Sequence, residues 1–195
     1  MLSRASNLRS ASRLSALAGS TEKISAIELA ALVVCGALAA LGVFAIHLSF
    51  RVPGHAILRA VFPMAAGLAA VPRRGAGFVM TFSAALTATV LHGGGIGEIQ
   101  PAALVGLLAL GPLLDLAMFG EPMGWRLYAR FIAAGVAANL IAFATRTTLA
   151  AMGYETPGSH QMERLGWIVP VSFLLCGAVA GLVSAIAWFR LRARS

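Results

Sequence analysis

The sequence has little charge. Of its 195 residues, 11% are Asp, Glu, Lys or Arg, and 59% are hydrophobic. Soluble domains carry roughly a quarter charged residues, so this chain has too few polar side chains to cover a globule in water. Its mean hydropathy of +0.85 also indicates a chain that is too apolar for a soluble globule. The composition excludes an ordinary soluble domain and predicts a protein that lies mostly in lipid.

Acidic residues and cysteines are also scarce. The chain has seven Asp plus Glu and fifteen Lys plus Arg, which gives a net charge of +8. The bases lie in short segments between long apolar runs, as they do in membrane proteins, so nucleic acid is not expected as a partner. The two cysteines, Cys35 and Cys176, both lie inside apolar runs. They predict neither a disulfide framework nor a metal site.

Six apolar runs are long enough to suggest membrane spans, since a bilayer core needs about 20 helical residues. Turn-forming Pro and Gly separate them, and none alternates apolar and polar residues as a transmembrane barrel strand does. The sequence therefore predicts an all-α integral membrane protein, a bundle of six transmembrane helices at residues 26–189, with basic tails at 1–25 and 190–195. The runs are Ala26 to Leu48, His55 to Val71, Ala76 to Leu91, Ala102 to Phe119, Leu127 to Leu149 and Leu165 to Phe189.

Charge predicts the orientation of the bundle. Six spans put both termini on one side, and eleven of the fifteen basic residues then lie on that side; only Arg51, Arg59, Arg146 and Arg164 lie on the other. The positive-inside rule makes the terminal side cytoplasmic. Residues 1–25 have the composition of a mitochondrial presequence, but the basic cytoplasmic tail of a bacterial inner-membrane protein has it too. We favour the second, and with it a multi-pass protein of the inner membrane.

Ionisable groups inside spans are costly, so each is a functional hypothesis. Arg59 lies more than a turn into the second run, and His55 is four residues earlier on the same helix face. The pair is interpreted either as a clamp for an anion or heterocycle, or as an arginine that extends outward beside an interfacial histidine.

Asn139 lies in the middle of the fifth run, where its amide is expected to bind a ligand or another helix. Asp115 is expected to pair with Arg126 or Arg130, or to contact a partner on the cytoplasmic side.

The outer ends of the helices collect the remaining polar candidates. The predicted substrate-binding residues are His55, Arg59, His92, Gln100, Asn139 and His160, with the loop around His160 closing the site. Histidines and carboxylates on the outer side also suggest a transition-metal site, because both are suitable ligands for Ni, Co or Zn. However, the chain has no His-x-x-x-His, His-Glu-x-x-His or Cys/His cluster, and no metal ligand is assigned.

Small residues at four-residue spacing occur in most of the runs and allow close helix packing in lipid. Most are interpreted as internal packing. Ala26 and Ala30 in the first run are the favoured surface for an external partner, because the other five runs have enough small residues to pack among themselves.

The chain resembles the S components of energy-coupling factor transporters, small membrane subunits that capture vitamins or metal ions in prokaryotes. The resemblance is carried by its length, its six runs, the Ala-x-x-x-Ala spacing at Ala26, and residues 50–120. That stretch contains Val52-Pro53-Gly54, Pro72-Arg73-Arg74-Gly75 and Gly111-Pro112-Leu113-Leu114-Asp115. The resemblance implies that Ala26 and Ala30 dock on a transmembrane coupling subunit and that the outer loops hold the substrate. Metal-specific members of that family carry an outward N-terminal Met-His, whereas this chain has a long basic tail that is predicted to lie inside, and this disfavours nickel or cobalt.

The sequence thus predicts a substrate-capturing subunit for a small vitamin or precursor with an anionic group near Arg59. It has no ATPase motif, so uptake would need separate ATP-binding cassette subunits; no cofactor and no catalysis are predicted. The main alternative is a non-catalytic accessory subunit of a larger membrane complex. Transition-metal uptake and a membrane-embedded hydrolase that uses His55 are less favoured, because no metal motif or nucleophile elbow is present.

Overall fold

The computed structural model describes residues 24–45, 53–96, 99–120, 124–154 and 166–190, and every regular element among them is a helix. There are six helices in these ranges, at the positions that the apolar runs predict to within a few residues. They are α1 (Ala26–Ala40, continued by a π-helical turn Leu41–Ala45), α2 (Ala56–Ala70), α3 (Ala76–Gly93), α4 (Pro101–Met118), α5 (Trp125–Ala151) and α6 (Ile168–Ala185, continued by a π-helical turn Ile186–Arg190).

Five of these helices, all except α2, are long and apolar enough to cross a membrane. The chain is therefore a multi-pass membrane protein, and the prediction of an all-helical membrane fold is confirmed. The exception is α2, whose 15 residues span about 22 Å at 1.5 Å per residue, less than the roughly 30 Å of a bilayer core.

Local sequence explains where the helices begin. Ser25 and Glu28 form a capping box at the start of α1: the Ser25 hydroxyl accepts from the Glu28 N–H, and the Glu28 carboxylate accepts from the Ser25 N–H. Two otherwise unsatisfied backbone donors are thereby paired. Gly75 precedes α3 with φ of +83°, a left-handed conformation that glycine adopts without steric cost. The Pro72-Arg73-Arg74-Gly75 segment therefore turns the chain sharply between α2 and α3.

Small residues bring the helices into backbone contact. A methyl group at Gly177 of α6 would lie 2.6 Å from the carbonyl oxygen of Gly135 in α5, and one at Gly106 of α4 would lie 2.8 Å from Cβ of Ala142. Gly36 of α1 packs on the backbone of Met80 in α3. The core between these contacts is apolar, with Leu32, Met64, Leu68, Met80, Leu110 and Phe131 among its fully buried side chains. The sequence interpretation of these small residues as internal packing agrees with their burial.

Candidate functional site

The turn that precedes α2 is bound to two neighbouring helices. Asn139, in the middle of α5, donates its side-chain amide to the carbonyl oxygen of Gly54. The Ser172 hydroxyl of α6 donates to the carbonyl oxygen of Pro53 at 3.1 Å. Because α5 continues for twelve residues past Asn139, α2 begins about 18 Å short of that end of α5. Ser172 lies four residues after the start of α6, so the start of α2 is about 6 Å from that end of α6.

His55 and Arg59 are in contact at this end of α2. Nη2 of Arg59 lies 3.2 Å from Nε2 of His55. A guanidinium has only donors, so Arg59 is the donor and His55 the acceptor in this contact. Both side chains are half-buried. The prediction that the two residues lie on one face of the helix is confirmed by this contact.

The π-helical turn that continues α1 packs directly against Arg59. A methyl group at Gly42 would lie 3.2 Å from both Cβ and the carbonyl oxygen of Arg59. Only glycine lets the two backbones approach this closely without displacement. The position of Arg59 is therefore fixed from three sides: by α1 at Gly42, by its own helix at His55, and by the anchoring of the preceding turn on α5 and α6.

Asn139 anchors backbone at this site. Besides Gly54, its amide donates to the carbonyl oxygen of Phe173 at 2.6 Å, and the residue is 3% exposed. Both amide hydrogens are thus used to hold the start of α2 and the first third of α6 against α5. This is the inter-helical role that the sequence allowed for Asn139; ligand contact by the same residue stays a prediction.

The other predicted site residues are placed differently. His92 lies in the last turn of α3 and Gln100 directly precedes α4. Both side chains are exposed, and both belong to the connection between α3 and α4 rather than to the start of α2. His160 lies outside the described residues. Of the six predicted residues, His55 and Arg59 contact each other, and Asn139 binds the carbonyl oxygen of Gly54, the residue before His55.

Arg146 is a residue of this region that the sequence argument left out of the site. It follows Asn139 by seven residues, or two helical turns, and so lies on the same face of α5. Its side chain is half-buried, and α5 is one of the helices long and apolar enough to span a membrane. The seven-residue spacing from Asn139 was visible in the sequence, but nothing in the sequence indicated which face of α5 turns inward.

The opposite end of the bundle holds a second set of polar contacts. The Arg73 guanidinium, in the turn between α2 and α3, pairs with Glu28 of α1, with Nη2 and Nε each 3.2 Å from Oε1. Asp115 of α4 accepts from the backbone N–H groups of Gly77 at 2.8 Å and Phe78 at 3.0 Å. These contacts tie three helix ends together.

Asp115 was expected to pair with Arg126 or Arg130, and that expectation is wrong within the described residues. Its carboxylate instead caps the N-terminus of α3, where free N–H groups and the helix dipole favour a negative charge. Its predicted contact with a partner protein stays a prediction.

The predicted docking pair, Ala26 and Ala30, is exposed on the outer face of α1. Larger exposed side chains continue the same face, among them Ile27, Val33, Val34 and Leu38. By contrast, both members of the pairs Gly36 and Ala40, Ala65 and Ala69, Ala134 and Ala138, and Gly177 and Gly181 are buried. Among these small-residue pairs, the one in the first turns of α1 is therefore accessible to another protein.

Within the ranges that the structure describes, no three of His, Cys, Asp and Glu lie close enough together to hold a metal ion. Two of the four histidines, His47 and His160, are outside those ranges. Comparison with known proteins adds no assignment: no protein-family model, no curated protein and no solved structure matches this chain.

Proposed function

We propose that this protein is the substrate-capturing membrane subunit of an uptake transporter of the energy-coupling factor type, and that it binds a small water-soluble vitamin or precursor through an anionic group. In this proposal α2 completes a six-span bundle in the inner membrane of a prokaryote, with both termini in the cytoplasm. The substrate enters from the outer side and binds at the His55 and Arg59 end of α2.

The observation that carries the proposal is the depth of the His55 and Arg59 pair. The turn before His55 contacts the middle of α5, so Arg59 lies within the layer that the apolar helices define. A charged side chain in that layer costs several kcal/mol and is rarely kept without a function. A guanidinium carries five N–H donors in a planar arrangement that suits a carboxylate or phosphate, which is the chemistry that an anionic substrate requires.

The distribution of arginines supports the proposed orientation. Arg73, Arg74, Arg126 and Arg130 belong to the start of α5 and the turn between α2 and α3, at the end of the bundle away from His55. A bacterial membrane protein retains such an excess of basic residues on the cytoplasmic side. The His55 end then faces outward, as capture of an external substrate demands.

Ligand binding by the purified full-length chain tests the proposal. Isothermal titration with a panel of water-soluble vitamins and their precursors is expected to find one that binds. Arg59→Ala is expected to weaken it by roughly 10- to 100-fold, the value of one charged hydrogen bond, and Arg59→Lys by less. Arg192→Ala removes the same charge from the C-terminal segment and is expected to leave binding unchanged. A ligand that binds equally well to Arg59→Ala would disprove the anion clamp.

The exposed pair on α1 favours one further candidate, an accessory subunit that docks on a partner and binds no small molecule. Both candidates use the Ala26 and Ala30 face, since a smooth face allows close helix approach in lipid. Ala30→Trp is expected to abolish co-purification with the genetically linked membrane partner, while Leu86→Trp, on an exposed position of α3, is not. Co-purification of ATP-binding cassette subunits favours transport; a fixed partner without them, combined with no ligand in the panel, favours the accessory role.

A further inference from the structure

Two arginines from different parts of the chain converge on one exposed aromatic residue at the Glu28 end of the bundle. The Arg74 guanidinium lies over the ring of Phe119, with Cζ 5.1 Å from the ring centroid. Nη1 of Arg130 donates to the carbonyl oxygen of the same residue. Arg74 precedes α3, Phe119 ends α4 and Arg130 lies in the second turn of α5. We call these three residues the Phe119 cluster.

The Arg130 contact stabilises the C-terminus of α4, but the charge of Arg130 is unfavourable for its own helix, α5. Arg130 and Arg126 lie four residues apart in the first turns of α5, where like charges repel and the positive end of the helix dipole disfavours cations. Both arginines are exposed, and so is Arg74. Among the described residues, the acidic group nearest to Phe119 along the chain is Asp115, one turn before it, and both of its oxygens accept from the N-terminus of α3; Glu121 lies outside the described residues. An external anion would offset the remaining positive charge.

The surroundings place the cluster where the membrane meets water. Phe119 is 58% exposed and Trp125, at the start of α5, is 74% exposed. Exposed aromatic rings at the ends of membrane spans lie at the level of the lipid headgroups. Leu116, one turn before the cluster's end of α4, is also exposed, and it offers an apolar surface to an acyl chain. A ligand with a phosphate beside an apolar tail fits this combination.

We propose that the Phe119 cluster binds a phosphate group at the membrane interface, and that the headgroup of an anionic phospholipid supplies it. Arg74 and Arg130 donate to the phosphate oxygens, and the acyl chains lie along α4. The site is at the opposite end of the bundle from His55 and Arg59, so it holds independently of whether the chain captures a substrate. It would favour anionic lipid as the annular neighbour of α4 and α5.

Native mass spectrometry of the full-length protein tests the lipid assignment. The protein is released from nanodiscs of equal parts phosphatidylglycerol and phosphatidylcholine, and the ratio of retained lipids is measured. Wild type is expected to retain phosphatidylglycerol preferentially. The double variant R74Q/R130Q is expected to lose at least about tenfold of that preference, the value of one charged hydrogen bond to phosphate. R74K/R130K keeps the charge and is expected to keep most of the preference.

The matched control is R192Q/R194Q, which removes two positive charges from the C-terminal segment. Loss of lipid preference in this control equal to that in R74Q/R130Q would overturn the proposal, because it would show general attraction to the positive chain. No preference in wild type would overturn it as well. Unchanged thermal midpoints of the two Gln variants in detergent confirm that both fold.

A second arm separates lipid from soluble phosphate. In detergent, the thermal midpoint of wild type is measured with inorganic phosphate and with short-chain phosphatidylglycerol, each against an equal concentration of chloride. Stabilisation by phosphatidylglycerol alone, absent in R74Q/R130Q, supports the lipid headgroup. Equal stabilisation by inorganic phosphate overturns the lipid as the source and leaves a soluble phosphate compound as the ligand.

Discussion

Asn139 donates to the carbonyl oxygen of Phe173 across 2.6 Å, and this bond joins the middle of α5 to the first third of α6. The same amide reaches Gly54 at 3.2 Å, so one side chain places the start of α2 within the bundle. The depth of His55 and Arg59 therefore depends on a residue that carries no charge and lies on another helix.

Replacing Asn139 with Ala is expected to destabilise the protein by about 1–2 kcal/mol, because hydrogen bonds between membrane helices are worth about that much or less and two carbonyl groups lose a donor. The free energy of unfolding in SDS measures the change. Thr145→Ala is the control on the same helix, since the Thr145 hydroxyl bonds only one turn back, to Ile141; its cost is expected to stay below about 0.5 kcal/mol. Equal costs for both variants would contradict the anchoring role.

The contact between α5 and α6 predicts a strong size limit at Gly177. A methyl group there would lie 2.6 Å from the Gly135 oxygen and 2.8 Å from Cα of Val136, and both are backbone atoms that cannot rotate away. Gly177→Ala is therefore expected to cost about 1–3 kcal/mol through helix separation, again measured by SDS unfolding. Gly93→Ala is the control, because nothing lies within 4 Å of its added methyl group. A neutral Gly177→Ala would show that α5 and α6 pack less tightly.

The capping of α3 by Asp115 predicts a graded series. Asp115→Ala removes the acceptor of two backbone N–H groups and is expected to cost about 0.5–2 kcal/mol, the usual range for a helix cap. Asp115→Asn retains one carbonyl acceptor and is expected to lose less than Ala. The order wild type, Asn, Ala in unfolding free energy is the measured outcome. If Asn and Ala destabilise equally, charge rather than hydrogen bonding holds this helix end.

The helical fold was predictable from the sequence because its signals are local. Long apolar runs specify helices in lipid, and proline and glycine mark the turns, so the positions of all six helices followed. The depth of α2 within the bundle was not predictable. Its run is bounded by Pro53 and Pro72, but its depth depends on contacts with Asn139 and Ser172, which are far away in the chain.

The site was predictable to the extent that its residues share a helix. His55 and Arg59 are four residues apart, so the helical repeat alone predicts their contact. The partners of Asp115 and Glu28 come from other helices, 38 and 45 residues away for Gly77 and Arg73 respectively. A single sequence carries no record of such contacts, and charge complementarity alone favoured the wrong partner for Asp115.

The Glu28 and Arg73 ion pair links α1, which carries the proposed docking face, to the turn between α2 and α3. Charge reversal at one residue, Glu28→Arg or Arg73→Glu, brings like charges together and is expected to lower the thermal midpoint in detergent. The double reversal E28R/R73E restores an opposite pair and is expected to recover part of the loss. Recovery is incomplete because Glu28 also accepts from the Ser25 N–H in the capping box, and an arginine has no acceptor with which to replace it. The single variant Ser25→Ala measures the capping contribution by itself. If the loss of thermal midpoint in E28R/R73E equals the sum of the losses in the two single variants, the two side chains do not interact. In that case α1 is held to α2 by apolar packing alone.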